Sequence, residues 1–198
     1  VDYVFFLTFE IMNQLCMKKL YFLFFFLIIH SLQSQVINFP DANLKAKLLE
    51  ADVTNPIANF TKIDVNENGE IEVEEAQNVY YLNISNSSIS DLTGLNYFGL
   101  TILDCSYNEI TNFEDVNQQY LEQLDCSHNQ IQVLSIETNF LTDMNCSYNL
   151  IESLDLAHLG FTDFMNISNN NLSTFLAPDY IVYLDILNND FNGFSLPF

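Results

Sequence analysis

Oxygen donors recur at fixed spacing between positions 64 and 75, in Asp64-Val-Asn66-Glu-Asn68-Gly69-Glu70-Ile71-Glu72-Val-Glu-Glu75. A hard divalent cation such as Ca²⁺ wants many oxygens from one short, sharply curved segment. Asp64, Asn66 and Asn68 supply side chains at the first, third and fifth positions, and Glu70 a carbonyl at the seventh. Glu72 suits a water-mediated contact at the ninth position and Glu75 a bidentate carboxylate at the twelfth. Gly69 permits the turn, and Ile71 anchors the loop to a core. The spacing predicts bound Ca²⁺ with a structural role; the competing reading is an acidic turn that holds no metal.

Other reactive residue types are less persuasive. His128 has Ser127 and Asp125 as chain neighbours and Asp104 one repeat earlier, but the serine recurs at 85, 106, 127, 147 and 168. Recurrence marks it as a scaffold residue, not a nucleophile. Asp104 and Asp125 could in principle pair for glycoside hydrolysis, yet neighbouring strands of one open face form no enclosed cleft. Cys105, Cys126 and Cys146 share one repeat position. Stacked strands would line their sulfurs in a row about 4.8 Å apart, whereas a Cys₃ metal site needs them convergent. Buried apolar fillers are therefore expected. No nucleophile elbow, HExxH, Walker A or thioredoxin-type CxxC is present, so the reading is a protein without catalytic activity.

The elements that position these residues are repeats. Segments 79–89, 100–110, 121–131, 141–151, 162–172 and 181–191 superimpose, their starts 19 to 21 residues apart. Each follows L-x-x-L-x-L-x-x-N-x-L, one structural turn that buries its apolar edge only against its neighbours. Positions 4 and 6 point inward from a short parallel strand, and the residue between them points outward. The asparagine at position 9 can satisfy backbone groups of the turn. Repeats this short leave little room for a convex helix. Ahead of them, 41–50 reads as a helix with Asp41 as N-cap and Leu44, Leu48 and Leu49 on its apolar side; a short helix near 57–62 and another over 74–80 would flank the acidic loop. The fold class is thus an α/β solenoid: a short, curved ladder with parallel concave strands and a mostly non-helical convex side, preceded by a small helical cap covering the first turn.

The concave face is expected at positions 2, 3, 5, 7 and 8. Its candidate partner-binding residues are Tyr81, Asp104, Tyr107, Asp125, His128, Tyr148, Phe164, Tyr183 and Asp185. The competing reading makes the Asp/Asn column solvated and the aromatics mere cover for the ladder.

The recurrent Leu-Asp-Cys-Ser-x-Asn resembles the secreted leucine-rich-repeat proteins of Bacteroidetes-type bacteria. The likeness extends over about 37–198 and includes a front piece, Ile37-Asn-Phe-Pro-Asp-Ala-Asn-Leu-Lys-Ala, with an EF-hand-like calcium loop. It implies an exported or surface-attached protein with a binding or adhesive role. Ser87 in place of the first asparagine and Leu187 in place of the last serine depart from the pattern.

Export also follows from the amino-terminal region. Met17-Lys18-Lys19, the apolar run to Ile29 and a small polar exit read as a signal peptide over 17–34. Residues 1–16 read as upstream or misassigned sequence, 35–78 as the cap, and 79–198 as about six repeats truncated at the carboxyl end. The expected mature chain has no segment apolar enough to span a membrane. It keeps a net charge of −21, with only Lys45, Lys47 and Lys62 against 24 acids. Such a chain repels phosphate backbones, excluding nucleic acid, and favours a cationic or neutral protein or glycan as partner. A spacer or display scaffold without a dedicated ligand is the alternative, and a glycan- or peptide-hydrolysing enzyme a weaker one. Nothing in the sequence sets the oligomeric state.

Overall fold

The computed structural model describes residues 17–19, 35–114, 116 and 119–191. The chain divides into two compact units, 1–35 and 36–198. In the first, only Met17–Lys19 and Gln35 are described, so the expected signal peptide and upstream segment lie almost wholly outside the described residues. The same holds for the expected truncated end at 192–198.

Within 36–191, each repeat contributes one short strand to a parallel sheet. The strands are β1 (Tyr81–Asn83), β2 (Ile102–Asp104), β3 (Gln123–Asp125), β4 (Asp143–Asn145), β6 (Thr162–Asn166) and β8 (Ile181–Asp185), hydrogen-bonded in that order. The register is strict: Leu82, Leu103, Leu124, Met144, Met165 and Leu184 align in one row. These residues and those two positions on, from Ile84 through Cys146 to Ile167, are fully buried until the last turn, where Leu184 and Ile186 are only partly covered. The return segments close the core from the other side with Ile110/Phe113, Ile131/Leu134, Ile151/Leu154 and Leu172/Phe175. They are extended, as short repeats require: β5 (Ser153–Asp155) pairs in parallel with β7 (Thr174–Leu176), and Asn112 bridges Val133 in an earlier turn. One return segment carries a 3₁₀ turn, Leu95–Tyr97.

Position 9 asparagines tie successive turns together. Asn129 Nδ2 donates to the carbonyls of Cys105, Cys126 and Ser127, and its Oδ1 accepts from Ile110 N at 3.0 Å. Asn108, Asn149, Asn170 and Asn189 repeat this arrangement. One amide therefore satisfies buried groups on two turns at once, which no single donor or acceptor side chain could do.

The cap is less helical than its sequence suggests. Helix α1 (Ala42–Leu49) forms as expected, with Asp41 Oδ1 accepting from Asn43 N and Leu44 N and with Leu44 and Leu48 buried. The expected helix over 74–80 shrinks to one turn, α2 (Val73–Ala76), because Val79 is drawn into the first repeat's core and β1 begins at Tyr81. The expected helix near 57–62 is a run of turns, interrupted by left-handed Asn59 and Phe60 at φ 50° and 60°. That irregular stretch covers the outer edge of β1, where Ile57 O accepts from Asn83 N at 2.7 Å. Phe39 packs edge-on to Phe98 at 6.4 Å and lies over Gly94, where a Cβ would come within 2.6 Å of its ring. Gly94 also adopts φ 106°, so both space and backbone require glycine there.

Candidate functional site: the strand face and the acidic loop

Alternation along the strands brings two columns onto the open face. The first is Tyr81, Ile102, Gln123, Asp143, Phe164 and Tyr183; the second is Asn83, Asp104, Asp125, Asn145, Asn166 and Asp185. Phe164 and Tyr183 stack with centroids 5.1 Å apart and planes 1° from parallel. A shallow cavity of about 390 Å³ opens over the middle strands, lined chiefly by Ile102, Asp104, Gln123, Asp125, Asp143 and Phe164.

The second column is only half free for a partner. Asp104 Oδ1 accepts from Ser106 N and Oγ, Asp125 Oδ1 from Ser127 N and Oγ, and Asn83, Asn145 and Asn166 do the same for Ser85, Ser147 and Ser168. Each residue fastens the turn that leaves its strand. Asp185 Oδ1 accepts from Leu187 N without a hydroxyl beside it, since Leu187 has none. Position 7 must accordingly be removed from the open face: Ser106, Ser127, Ser147 and Ser168 are buried by these bonds. Ser127 Oγ is thus engaged with Asp125 in the repeat's common pattern.

Tyr107, His128 and Tyr148 stand apart from the strand columns. They occupy the turn after the strand at φ 54–56°, the left-handed region, where Asn86, Asn169 and Asn188 serve in other repeats. Asparagine tolerates that conformation more readily than tyrosine does. The three rings stack on one another at 4.1 and 4.3 Å with planes 10–11° apart. Five of the six expected aromatics therefore form two stacks, within which facing ring surfaces cover one another while Tyr107, Tyr148, Phe164 and Tyr183 remain exposed. Sequence reasoning missed a further row: Tyr120, Phe140, Phe161 and Tyr180, all exposed, stand just before the first repeat position in four successive turns. Their signal is an aromatic recurring at that one register position.

In the acidic loop the side chains converge on the loop's own amides. Asp64 accepts from Asn68 N and Gly69 N, Glu72 from the Asn66 and Asn68 side chains, and Glu75 from Val65 N, Asn66 N and Glu72 N. Burial and the neighbouring Glu72 carboxyl push the Glu75 carboxyl up against the pull of its backbone amides, while the paired Glu75 carboxyl and the two asparagine amides hold Glu72 below its usual range. Glu70 turns its carboxylate outward to Lys45 at 2.7 Å, leaving its carbonyl as the loop donor. Gly69 at φ 79° makes the turn. Buried Ile71 accepts through its carbonyl from Ile37 N, and Val36 bridges Glu72 antiparallel, so 36–37 supplies the strand partner beside the loop. Among the described residues no three His, Cys, Asp or Glu side chains stand at metal-holding spacing. The donor set fits a cation by order and type, with asparagine and backbone oxygens supplementing Asp64 and Glu75.

Cys105, Cys126 and Cys146 stack in the core, unpaired and buried, one per turn. Burial, aided by nearby acids and at Cys126 first by the two flanking cysteines, pushes all three thiols up, Cys146 to about 12, which keeps them protonated and unreactive. His158 on a return segment packs locally, its Nε2 3.1 Å from the Thr138 carbonyl. Among the described residues no helix is long and apolar enough to cross a membrane.

One parallel strand per turn of about 20 residues, an asparagine ladder and extended return segments define a leucine-rich-repeat solenoid. A solved structure, the functional domain of InlJ from Listeria monocytogenes, which includes a cysteine ladder, is similar to it: 28% identity and a TM-score of 0.58, covering 71% of this chain and 30% of that one. The chain thus matches less than a third of that protein's length. No protein-family model matches, and no curated protein matches. The fold suggests a protein-binding module.

Proposed function

We propose that this chain is a non-catalytic, exported or cell-surface module that binds a protein through its concave strand face. The observation that carries this reading is the open face itself: two columns in strict register and a cavity of about 390 Å³ over β2–β6. A protein partner is favoured over a glycan because the leucine-rich-repeat fold presents an extended, open strand face and not an enclosed sugar pocket. Export rests on the Lys18-Lys19 and apolar segment.

We further propose that Ca²⁺ braces the cap at 64–75. Asp64, Asn66, Asn68, the Glu70 carbonyl and Glu75 would hold it, and Glu72 would act through water. Its contribution would be to fix the loop on which Ile71, α2 and the start of the solenoid depend.

The functional test is recovery of a binding partner from surface and culture fractions, followed by affinity measurement with Phe164→Ala/Tyr183→Ala. Both side chains are exposed and lean mainly on each other, so melting should change little. Affinity is expected to fall by about tenfold or more, as for exposed aromatic anchors. Leu176→Ala, on the convex strand β7, is expected to leave it unchanged. Equal binding by all three chains would refute the concave face. A spacer would yield no partner that either substitution affects.

A further inference from the structure

The middle of the concave sheet face differs from the pairs that flank it. Register sets Asn83 opposite Asp104, Asp104 opposite Asp125, and Asp125 opposite Asn145. The outer two pairs are matched: Asn83 Nδ2 donates to Asp104 Oδ2 and Asn145 Nδ2 to Asp125 Oδ2, each at 3.1 Å. Between β2 and β3, however, acceptor meets acceptor. Like charges directly opposite one another on adjacent strands destabilise a sheet. The scaffold does not require this, because Asn83, Asn145 and Asn166 fasten their serines with Oδ1 as the aspartates do. A single asparagine at 104 or 125 would replace the acceptor–acceptor contact by a donated bond, giving up the one received from Asn83 or Asn145.

We propose that this part of the face docks an extended, arginine-bearing segment of a protein partner, with one guanidinium lying between Asp104 and Asp125. The inference rests on the concave face being the binding surface and names what it binds. A guanidinium is a planar fork with donors and no acceptor, so it can bond the Oδ2 atoms of both carboxylates where an asparagine amide serves only one. The cavity over these strands offers room beside it, with Ile102 and Phe164 as apolar surface for the methylene stem and Asp143 in the adjacent column for a second cation. Charge complementarity comes from the whole chain. Lys45, Lys47 and Lys62 are all paired within the cap, to Glu70, Glu50 and Glu67, and no lysine or arginine follows Lys62. Positive charge on the face must therefore come from outside residues 36–191. A metal fits less well, since this spot offers two facing carboxylates whose Oδ1 atoms are already committed to their turns.

The test uses the full chain and fluorescein-labelled oligo-arginine, oligo-lysine and oligo-glutamate peptides of equal length, followed by anisotropy. Oligo-arginine is expected to bind more tightly than oligo-lysine, because the fork is lost, and oligo-glutamate not at all. Asp125→Asn is expected to weaken oligo-arginine by about tenfold, against less than about twofold for the exposed convex-side Glu152→Gln. Asp125→Asn should melt close to the parent, because it removes the repulsion and supplies a donor toward Asp104 while giving up the bond from Asn145 Nδ2. Equal weakening by the two substitutions would reduce the effect to net charge and overturn the proposal. So would Asp125-dependent displacement of the peptide by about 1 mM Ca²⁺ but not by sodium at matched ionic strength. Absence of oligo-arginine binding, with Phe164→Ala/Tyr183→Ala still abolishing capture of a partner, would remove the basic occupant and leave the concave-face reading standing.

Discussion

Asp41 shows how much one side chain can organise. Its Oδ1 caps α1 through Asn43 N and Leu44 N, while Oδ2 accepts from Ser90 N, Ser90 Oγ and Asp91 N in the first repeat. Burial pushes its carboxyl up, but these bonds outweigh it and hold the group below its ordinary value. A carboxyl depressed in the folded state stabilises the fold above its unfolded pKa, and that stability is lost as pH falls through the folded pKa. Asp41→Ala is accordingly expected to cost about 1–2 kcal/mol at neutral pH, the upper part of the range for N-caps. The difference from the parent should shrink as the pH is taken below about 4, as the parent's own carboxylate protonates. Urea unfolding of both chains at neutral and acid pH measures this; a difference independent of pH would mean that the charge contributes nothing. The capping role is legible in the sequence, because an aspartate preceding an apolar periodic run is a local signal. Its hold on Ser90 and Asp91, some 50 positions away, is not, since no local pattern records it.

At the scale of the repeat, the asparagine ladder and the Asp/Asn–Ser turns stand in for the helices of longer repeats. Asn129 makes four hydrogen bonds to two turns, all in buried surroundings. Asn129→Leu keeps the volume but leaves three carbonyls and one N–H without that partner. A loss of about 2–4 kcal/mol is expected in denaturant unfolding, since each orphaned buried group costs part of its desolvation. Asn129→Asp should be no milder, for its carboxylate can still accept from Ile110 N but faces the carbonyls with no donor. A loss below about 0.5 kcal/mol in both would show that the turns are satisfied in another way. The period, the inward positions and this asparagine are readable because each recurs and each has one physical role. The serine at position 7 does not belong to the face that alternation assigns it to, because alternation stops at Asp104, Asp125 and their equivalents, where the chain bends and the hydroxyl folds back. Extrapolating the strand also places Tyr107, His128 and Tyr148 on that face, although their left-handed backbone sets them beyond it.

For the whole chain the dominant quantity is a net charge of −21, with acids on nearly every turn and all three lysines of 36–191 in the cap. Any cation should raise the melting temperature by screening self-repulsion. A calcium brace predicts more than that. Ligand that binds only the folded chain stabilises it by RT ln(1 + [L]/Kd), about 2.7 kcal/mol at a hundredfold excess over Kd. For a chain of this size that is a rise of roughly 5–10 °C. CaCl₂ should therefore raise the melting temperature well beyond NaCl at equal ionic strength. Glu75→Gln should keep the sodium effect and lose the calcium increment, because the bidentate donor at the end of the loop is gone. The substitution also disturbs bonds to Val65 N, Asn66 N and Glu72 N, so its melting temperature without calcium will be lower than the parent's. The informative quantity is the calcium increment within each chain, not the difference between chains. If calcium and sodium shift the parent alike, the loop at 64–75 is held by its own amides, and the cap stands without a metal.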